Sequence, residues 1–251
     1  MFGAYDEGSG DRGLSTKLWL GCNPDVIRND PRHGIFFLDD FLEFHTTAAG
    51  SQNGRTVTQT TAGTVVEVDD EAYGVIAMSS SATVNQGVTM VYPGVTVIPN
   101  KGETIICEAR VKLETVTVGS QLFFGLQAAT DDTVAMAEVS DVGTPTSTSY
   151  VGLYTPSTLL VTFGTLDNSG TASITTGIGT MVAATYHKLG FRINGLDGYQ
   201  TFFDGVEIAN TNTVASIPDG IALHLTLANI SEGTSTSVAS FDWVALASLS
   251  A

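Results

Sequence analysis

Residues 67–71 read E-V-D-D-E and place Glu67, Asp69 and Glu71 at i, i+2 and i+4. Successive side chains of a β-strand alternate between faces, so a strand here would hold all three carboxyls on one side. Retaining glycoside hydrolysis requires two carboxyls about 5–5.5 Å apart, one as nucleophile and one as acid and then base. In that assignment Glu67 is the nucleophile, Asp69 the orienting group and Glu71 the acid. Asp70 works against it, because D-D-E reads as a turn between the run ending at Val68 and the one starting near Tyr73. Three acids together are also unremarkable in a chain with 26 Asp plus Glu against 10 Lys plus Arg. The expectation is no catalytic residue here, and a chain that is not an enzyme.

The other reactive residue types give less. Asp39-Asp40 and Asp131-Asp132 offer hard oxygen ligands for Ca²⁺, but no D-x-D-x-D-G loop accompanies them, and turn solvation is the simpler reading. His33, His45, His187 and His224 show no metal spacing, and no Ser or Cys nucleophile motif stands near them. His224 lies in a β run between Leu223 and Leu225, a solvent-face or hydrogen-bonded position. No phosphate-binding glycine motif is present. No cofactor and no metal site is therefore expected. Cys22 and Cys107 read as free thiols of a reducing cytoplasm, a single bridge being the alternative. Tyr92, Tyr150, Tyr154 and Tyr199 are available to stack on a sugar, and equally to fill a core.

Charge narrows the partners. The net charge of −16 argues against binding nucleic acid through phosphate neutralisation and against docking on an anionic membrane. Charged residues are only 14% of the chain, and Thr, Ser and Gly take their place, as in rigid β-rich extracellular or particle-borne proteins. The charge is uneven. Residues 1–35 hold four cations against five acids, a net −1, while residues 36–251 hold six against twenty-one, a net −15.

The elements that would position any site are strands. Met1–Gly13 is Gly- and Asp-rich without an apolar core, so it reads as a flexible arm rather than a secretory signal. N-P-D-V-I-R-N-D-P reads as one helical turn with Asn23 as cap, Pro24 at the first position and Pro31 as terminator. From His33 onward about thirteen β-branched and aromatic runs follow, punctuated by Gly, Asn, Asp and Pro. In Ile105–Leu113, Ile105, Cys107, Ala109, Val111 and Leu113 share one face; Ile106, Glu108, Arg110 and Lys112 share the other. His187–Ile193 alternates likewise, with Leu189, Phe191 and Ile193 opposed by Lys188, Gly190 and Arg192. One face buried and one wet predicts an all-β, two-sheet antiparallel sandwich. Asp204-Gly205 supplies the positive φ at both centres of a type I′ hairpin, placing Thr201, Phe203, Val206 and Ile208 in register.

E-A-R-V-K-L, F-F-G-L-Q, H-K-L-G-F-R-I, T-F-F-D-G-V-E-I and S-F-D-W-V-A-L, in that order, resemble the concanavalin-like (laminin-G-like) jelly roll over roughly residues 36–249. The resemblance implies that F-F-L-D-D-F opens the domain and that the strand near Asp242-Trp243 returns beside it. It also implies that Asp204-Gly205 joins two central strands. Laminarinase-like hydrolases of this fold carry a Glu-x-Asp-x-Glu arrangement in a central strand, whereas residues 67–71 fall early in the chain. The amino-terminal K-L-W-L-G-C-N-P-D-V-I-R-N-D-P-R-H-G-I-F-F-L-D-D-F resembles the start of structural proteins of tailed bacteriophages.

That second resemblance implies a virion protein, made in the host cytoplasm, that decorates or cements the capsid exterior. Residues 1–35 would form an extended arm and residues 36–251 the jelly-roll body. Leu18, Trp19, Leu20, Val26 and Ile27 would be apolar anchors on the major capsid protein or on neighbouring copies, and Arg12, Lys17, Arg28 and Arg32 would form charge pairs. The resemblance allows a trimer. The alternatives are a glycan- or receptor-binding module of a tail fibre or spike, which would meet a cell-surface glycan, and a glycoside hydrolase.

Overall fold

The computed structural model describes residues 12–44, 50–59, 63–68, 74–84, 86–100, 102–114, 120–128, 149–156, 159–168, 170–211, 216–231 and 235–250. The flexible arm expected over Met1–Gly13 falls outside these up to residue 11, as do His45, Asp69, Asp70, Glu71 and Asp131-Asp132.

One short helix, α1 (Pro24–Asn29), forms where the cap chemistry predicts it. The Asn23 side chain accepts from the amides of Asp25 and Val26. Asp30 ends α1 and caps a 3₁₀ turn over Pro31–His33, accepting from the Arg32 amide. Among the described residues sixteen strands follow: β1 (Gly34–Asp39), β2 (Gly50–Gln52), β3 (Arg55–Gln59), β4 (Thr64–Glu67), β5 (Ile76–Ser79), β6 (Gln86–Val97), β7 (Thr104–Leu113), β8 (Ser120–Ala128), β9 (Tyr150–Tyr154), β10 (Leu160–Leu166), β11 (Ser173–Thr180), β12 (Tyr186–Asn194), β13 (Tyr199–Phe203), β14 (Val206–Thr211), β15 (Leu223–Ser231) and β16 (Val238–Leu249).

They form two antiparallel sheets, a jelly-roll sandwich. Sheet A runs β14-β13-β12-β7-β16-β5-β4, with β1 also paired to β16; sheet B runs β11-β10-β9-β8-β15-β6-β3-β2. As expected, the opening strand lies against the closing one, with Phe36 opposite Ala247 and Asp39 opposite Val244. Both centres of the Asp204-Gly205 turn have positive φ, +51° and +76°. Two details differ. The hairpin sits at the edge of sheet A, not its centre, and a bulge after Thr201 pairs that residue with Ala209, taking Ile208 out of the simple alternation.

The core lies between the inner faces. Ile105, Cys107, Ala109, Val111 and Leu113 of β7 all point into it, as their spacing predicts. Phe124 and Phe163 of sheet B meet Phe191 of sheet A at centroid separations of 6.0 and 5.5 Å, and Phe163 lies 4.4 Å from Tyr199. Such tilted ring pairs add about 0.5–1.5 kcal/mol each beyond their area.

The other face of β7 is the main departure from expectation. Ile106, Glu108 and Arg110 are buried, and so is Lys188 of β12. The cause is residues 12–22, which lie across the outer face of sheet A. Leu18 and Trp19 pack there with Ile106, Phe202, Trp243, Ala245 and Ala247. A Cβ on Gly190 would collide with Leu18 Cδ2, so the glycine is a socket for that leucine.

Candidate functional site

The buried charged groups on the outer face of sheet A are paired there, while Trp243 Nε1 on the same face has no partner among the described residues. Glu108, fully buried, accepts from the Ser15 amide (3.0 Å), the Ser15 hydroxyl and Trp19 Nε1 (2.6 Å). Burial raises its carboxyl above the ordinary range; the Ser15 and Trp19 hydrogen bonds and the nearby Lys188 charge pull the other way. Asp242 accepts from Arg110 Nη1 at 2.6 Å and from Arg12 Nη2. Lys188 Nζ donates to the Gly13 carbonyl and Arg192 to that of Leu20.

The predicted partner contacts therefore divide. Leu18, Trp19 and Ile27 are buried in the chain's own fold, and Arg12 is held by Asp242. Arg28 stacks over Phe36 at 5.0 Å and Arg32 pairs with Asp30 at 2.7 Å. Lys17, Leu20 and Val26 are exposed. The expectation of an extended arm over residues 1–35 is corrected for its described part: hydrophobic burial and the Glu108 and Asp242 hydrogen bonds fold residues 12–33 back onto the body.

Other candidates resolve as architecture. Asp39 is bound by Arg55 through Nε (2.6 Å) and Nη2 (2.5 Å) and also accepts from the Phe41 amide, so its carboxylate is engaged in an ion pair within the fold. His187 accepts from the Val182 amide at Nε2, and its Nδ1 lies 2.8 Å from Asp204, so it links the β11–β12 connection to the hairpin. Cys22 and Cys107 are free; burial pushes the Cys22 thiol up to about 11. No group of three or more His, Cys, Asp or Glu suited to a metal ion occurs among the described residues. Glu67 is exposed at the end of β4, an edge strand of sheet A, while Asp69 and Glu71 lie outside the described residues.

The outer face of sheet B differs in kind. Its central strands β9, β8 and β15 place three rows side by side. Tyr154, Phe123 and Ala228 form one row; Gly152, Gly125 and Thr226 the next; Tyr150, Gln127 and His224 the third. Gly164 of β10 extends the middle row. The glycines are there because rings lie over them. A Cβ on Gly152 would meet the Phe123 ring at 2.7 Å, and one on Gly164 would meet Tyr150 and Tyr154 at 3.0 Å. None of these outward positions on β8, β9 or β15 carries a charged side chain. Thr89, Tyr150, Tyr154 and His224 nonetheless each have a buried polar atom without a hydrogen-bond partner. Burial raises both tyrosine hydroxyls well above the ordinary phenol range, so they are protonated donors at neutral pH. Tyr92 and Tyr199, the other sugar-stacking candidates, are in the core.

Sequence reasoning noted Tyr150, Tyr154 and His224 singly and missed Gln127 and the row. The only signal was the alternation of S-Q-L-F-F-G-L-Q, which does not say which strands will neighbour it.

No family model and no curated protein matches the chain. Solved structures do. A protein of unknown function from Shewanella oneidensis superposes with a TM-score of 0.61 at 14% identity, over 91% of this chain and 95% of that one. An endo-β-1,4-glucuronan lyase from Trichoderma reesei gives 0.58 at 13%, over 86% and 95%. An endo-1,3-β-glucanase from Streptomyces sioyaensis gives 0.53 at 14%, over 87% and 96%. At such identities the likeness shows the fold. It also overturns the expectation of a chain that is not an enzyme, since most of the similar structures are glycoside hydrolases or a lyase.

Proposed function

We propose that the chain is a carbohydrate-active sandwich that engages a polysaccharide on the outer face of sheet B and cleaves it by β-elimination next to a uronate carboxylate. The observation that carries this reading is the row Tyr150–Gln127–His224. Gln127, itself buried, is the direct cross-strand neighbour of both others, so at roughly 4.8 Å per strand the outer two stand about 10 Å apart at the backbone, about the span of one sugar ring. The Tyr150 hydroxyl and His224 Nδ1 have no partner among the described residues. Tyr150 is buried and His224 half-buried, so the row opens on the β15 side.

Elimination needs three services. The carboxylate must have its charge stabilised by hydrogen bonding; the Gln127 amide, which already has a partner within the chain, carries two N–H donors and can share one. A base must take the proton from the carbon next to the carboxyl group; in the tautomer that carries its proton on Nε2, His224 offers the Nδ1 lone pair. As the carbon–oxygen bond of the glycosidic link breaks, its electron pair leaves with the oxygen and the new double bond forms. The Tyr150 hydroxyl, kept protonated by burial, donates to that oxygen. Two-carboxylate hydrolysis has no equipment at the outward positions of β8, β9 and β15, which hold no acid. The glucuronan lyase among the similar structures supports the reading.

Incubation with a panel of uronate-containing and neutral polysaccharides tests it. The expected result is ultraviolet absorbance from the conjugated unsaturated product with uronates alone. Tyr150→Phe or His224→Ala should lower that rate about 10²–10⁴-fold, the usual worth of a general acid or base. New reducing ends without absorbance would mean hydrolysis. Neither product nor retention on any glycan would end the reading. The capsid-decoration reading loses three of its apolar anchors, Leu18, Trp19 and Ile27, to contacts within the chain, while Lys17, Leu20 and Val26 stay exposed.

A further inference from the structure

We propose that residues 12–20 are exchanged between two copies of the chain, each copy's segment occupying the socket on the other's sheet A. The sheet carries a receptor shaped for this segment and for little else. It has a glycine socket for Leu18 at Gly190, a buried Glu108 bonded by Ser15 and Trp19, and an Asp242 that takes Arg12. Every one of these contacts joins positions far apart in sequence and none belongs to a β-ladder, so the segment can be seated from its own chain or from a second one with the same bonds.

Three observations favour a second copy as an occupant. Gly21, which separates residues 12–20 from α1, is exposed, has a φ of +83° and has nothing within 4 Å of where its Cβ would be. A change of direction there meets no obstacle, while α1 stays on β1 through Arg28 and Phe36. Nine residues beyond that hinge reach up to about 30 Å when extended, enough to span to an adjoining body. Second, exposed aliphatic side chains are frequent in the chain segment that follows this hinge. Of the twelve large exposed hydrophobics among the described residues, Leu20, Val26, Ile35, Leu38 and Leu42 fall within residues 20–42. Burying exposed aliphatic side chains is a normal reason for self-association. Third, the charge fits. Two bodies of −15 repel, and the cation-bearing leader is the part of the chain that can lie between them.

The exchange is independent of the glycan reading, because it uses the opposite face. Its test uses the Ser15 Cβ, which lies 3.6 Å from where a Cβ on Gly205 would be, within disulfide range. Full-length chains carrying Cys22→Ser and either Ser15→Cys or Gly205→Cys are mixed, incubated at high concentration and oxidised. Exchange predicts a cross-linked species of twice the chain mass in the mixture and none in either variant alone. No such species, or as much from one variant alone, would overturn it. Because Cys at Gly205 strains a turn, the unmodified chain is also followed by light scattering over a concentration series. A monomer at every concentration would overturn the proposal as well.

Discussion

The two outer faces of the sandwich are built from alternating strands of the same kind, yet they end in opposite states. On sheet A, Glu108, Arg110, Lys188 and Asp242 are buried charged groups, and each is met by residues 12–22 or by another of the set. On sheet B the central outward positions are uncharged, and buried hydroxyl and ring-nitrogen atoms are left without partners. Polar groups that complete one another within the chain act as structure. Polar groups sealed off without partners cost about 1–3 kcal/mol each, and a fold retains them when something else pairs with them. The contrast sets attachment of the leader on one face against the ligand chemistry proposed for the other.

Substitutions can break or sharpen the contrast. The largest loss of stability should come from Asp242→Ala, which leaves Arg110 and Arg12 facing each other over a buried site. Denaturant unfolding should show a loss of about 3–5 kcal/mol, the cost of breaking a buried pair. Leu18→Ala should cost about 2–5 kcal/mol by emptying the socket over Gly190, and Gly190→Ala should cost a comparable amount by expelling the leucine. On the opposite face, Tyr150→Phe and Tyr154→Phe remove hydroxyls that have no partner and should leave the unfolding midpoint unchanged or raised. A clear loss there would erase the difference between the faces.

The smallest effect is a matter of pH. Because burial raises Glu108, the folded state holds its proton more tightly than the unfolded chain. That contribution to stability is fully present below the unfolded carboxylate value and is lost as pH rises through the folded one. Glu108→Gln should flatten this slope in a series of unfolding curves, whereas Glu67→Gln, on an exposed edge, should leave it as it was.

Much of the architecture was legible. The inner face of β7 follows from period-2 spacing, α1 from Asn23 and Pro24, and the hairpin from Asp204-Gly205, all local chemistry within a few residues. Less of the site was. E-V-D-D-E is the sharpest catalytic candidate because its acids are adjacent in sequence, although D-D-E reads as a turn and no catalytic residue is expected; its described part lies at an edge of sheet A. The row on sheet B joins residues 127, 150 and 224, whose adjacency comes from strand order alone. The bulge after Thr201 was likewise invisible, since nothing in T-F-F-D-G-V-E-I announces the extra residue.

By itself, the sequence determined that the chain is a β-sandwich, which side of each strand is apolar, and that residues 1–35 differ electrically from the rest. Those properties are set by side-chain type and alternation along the backbone. Only the tertiary structure decided that Ile106, Glu108 and Arg110 are dry, because a segment nearly ninety positions earlier covers them. It alone decided that a tyrosine, a glutamine and a histidine share one row. Burial of an outward face depends on what lands on it, and strand order depends on the whole chain's packing; neither is carried by the pattern of any one strand.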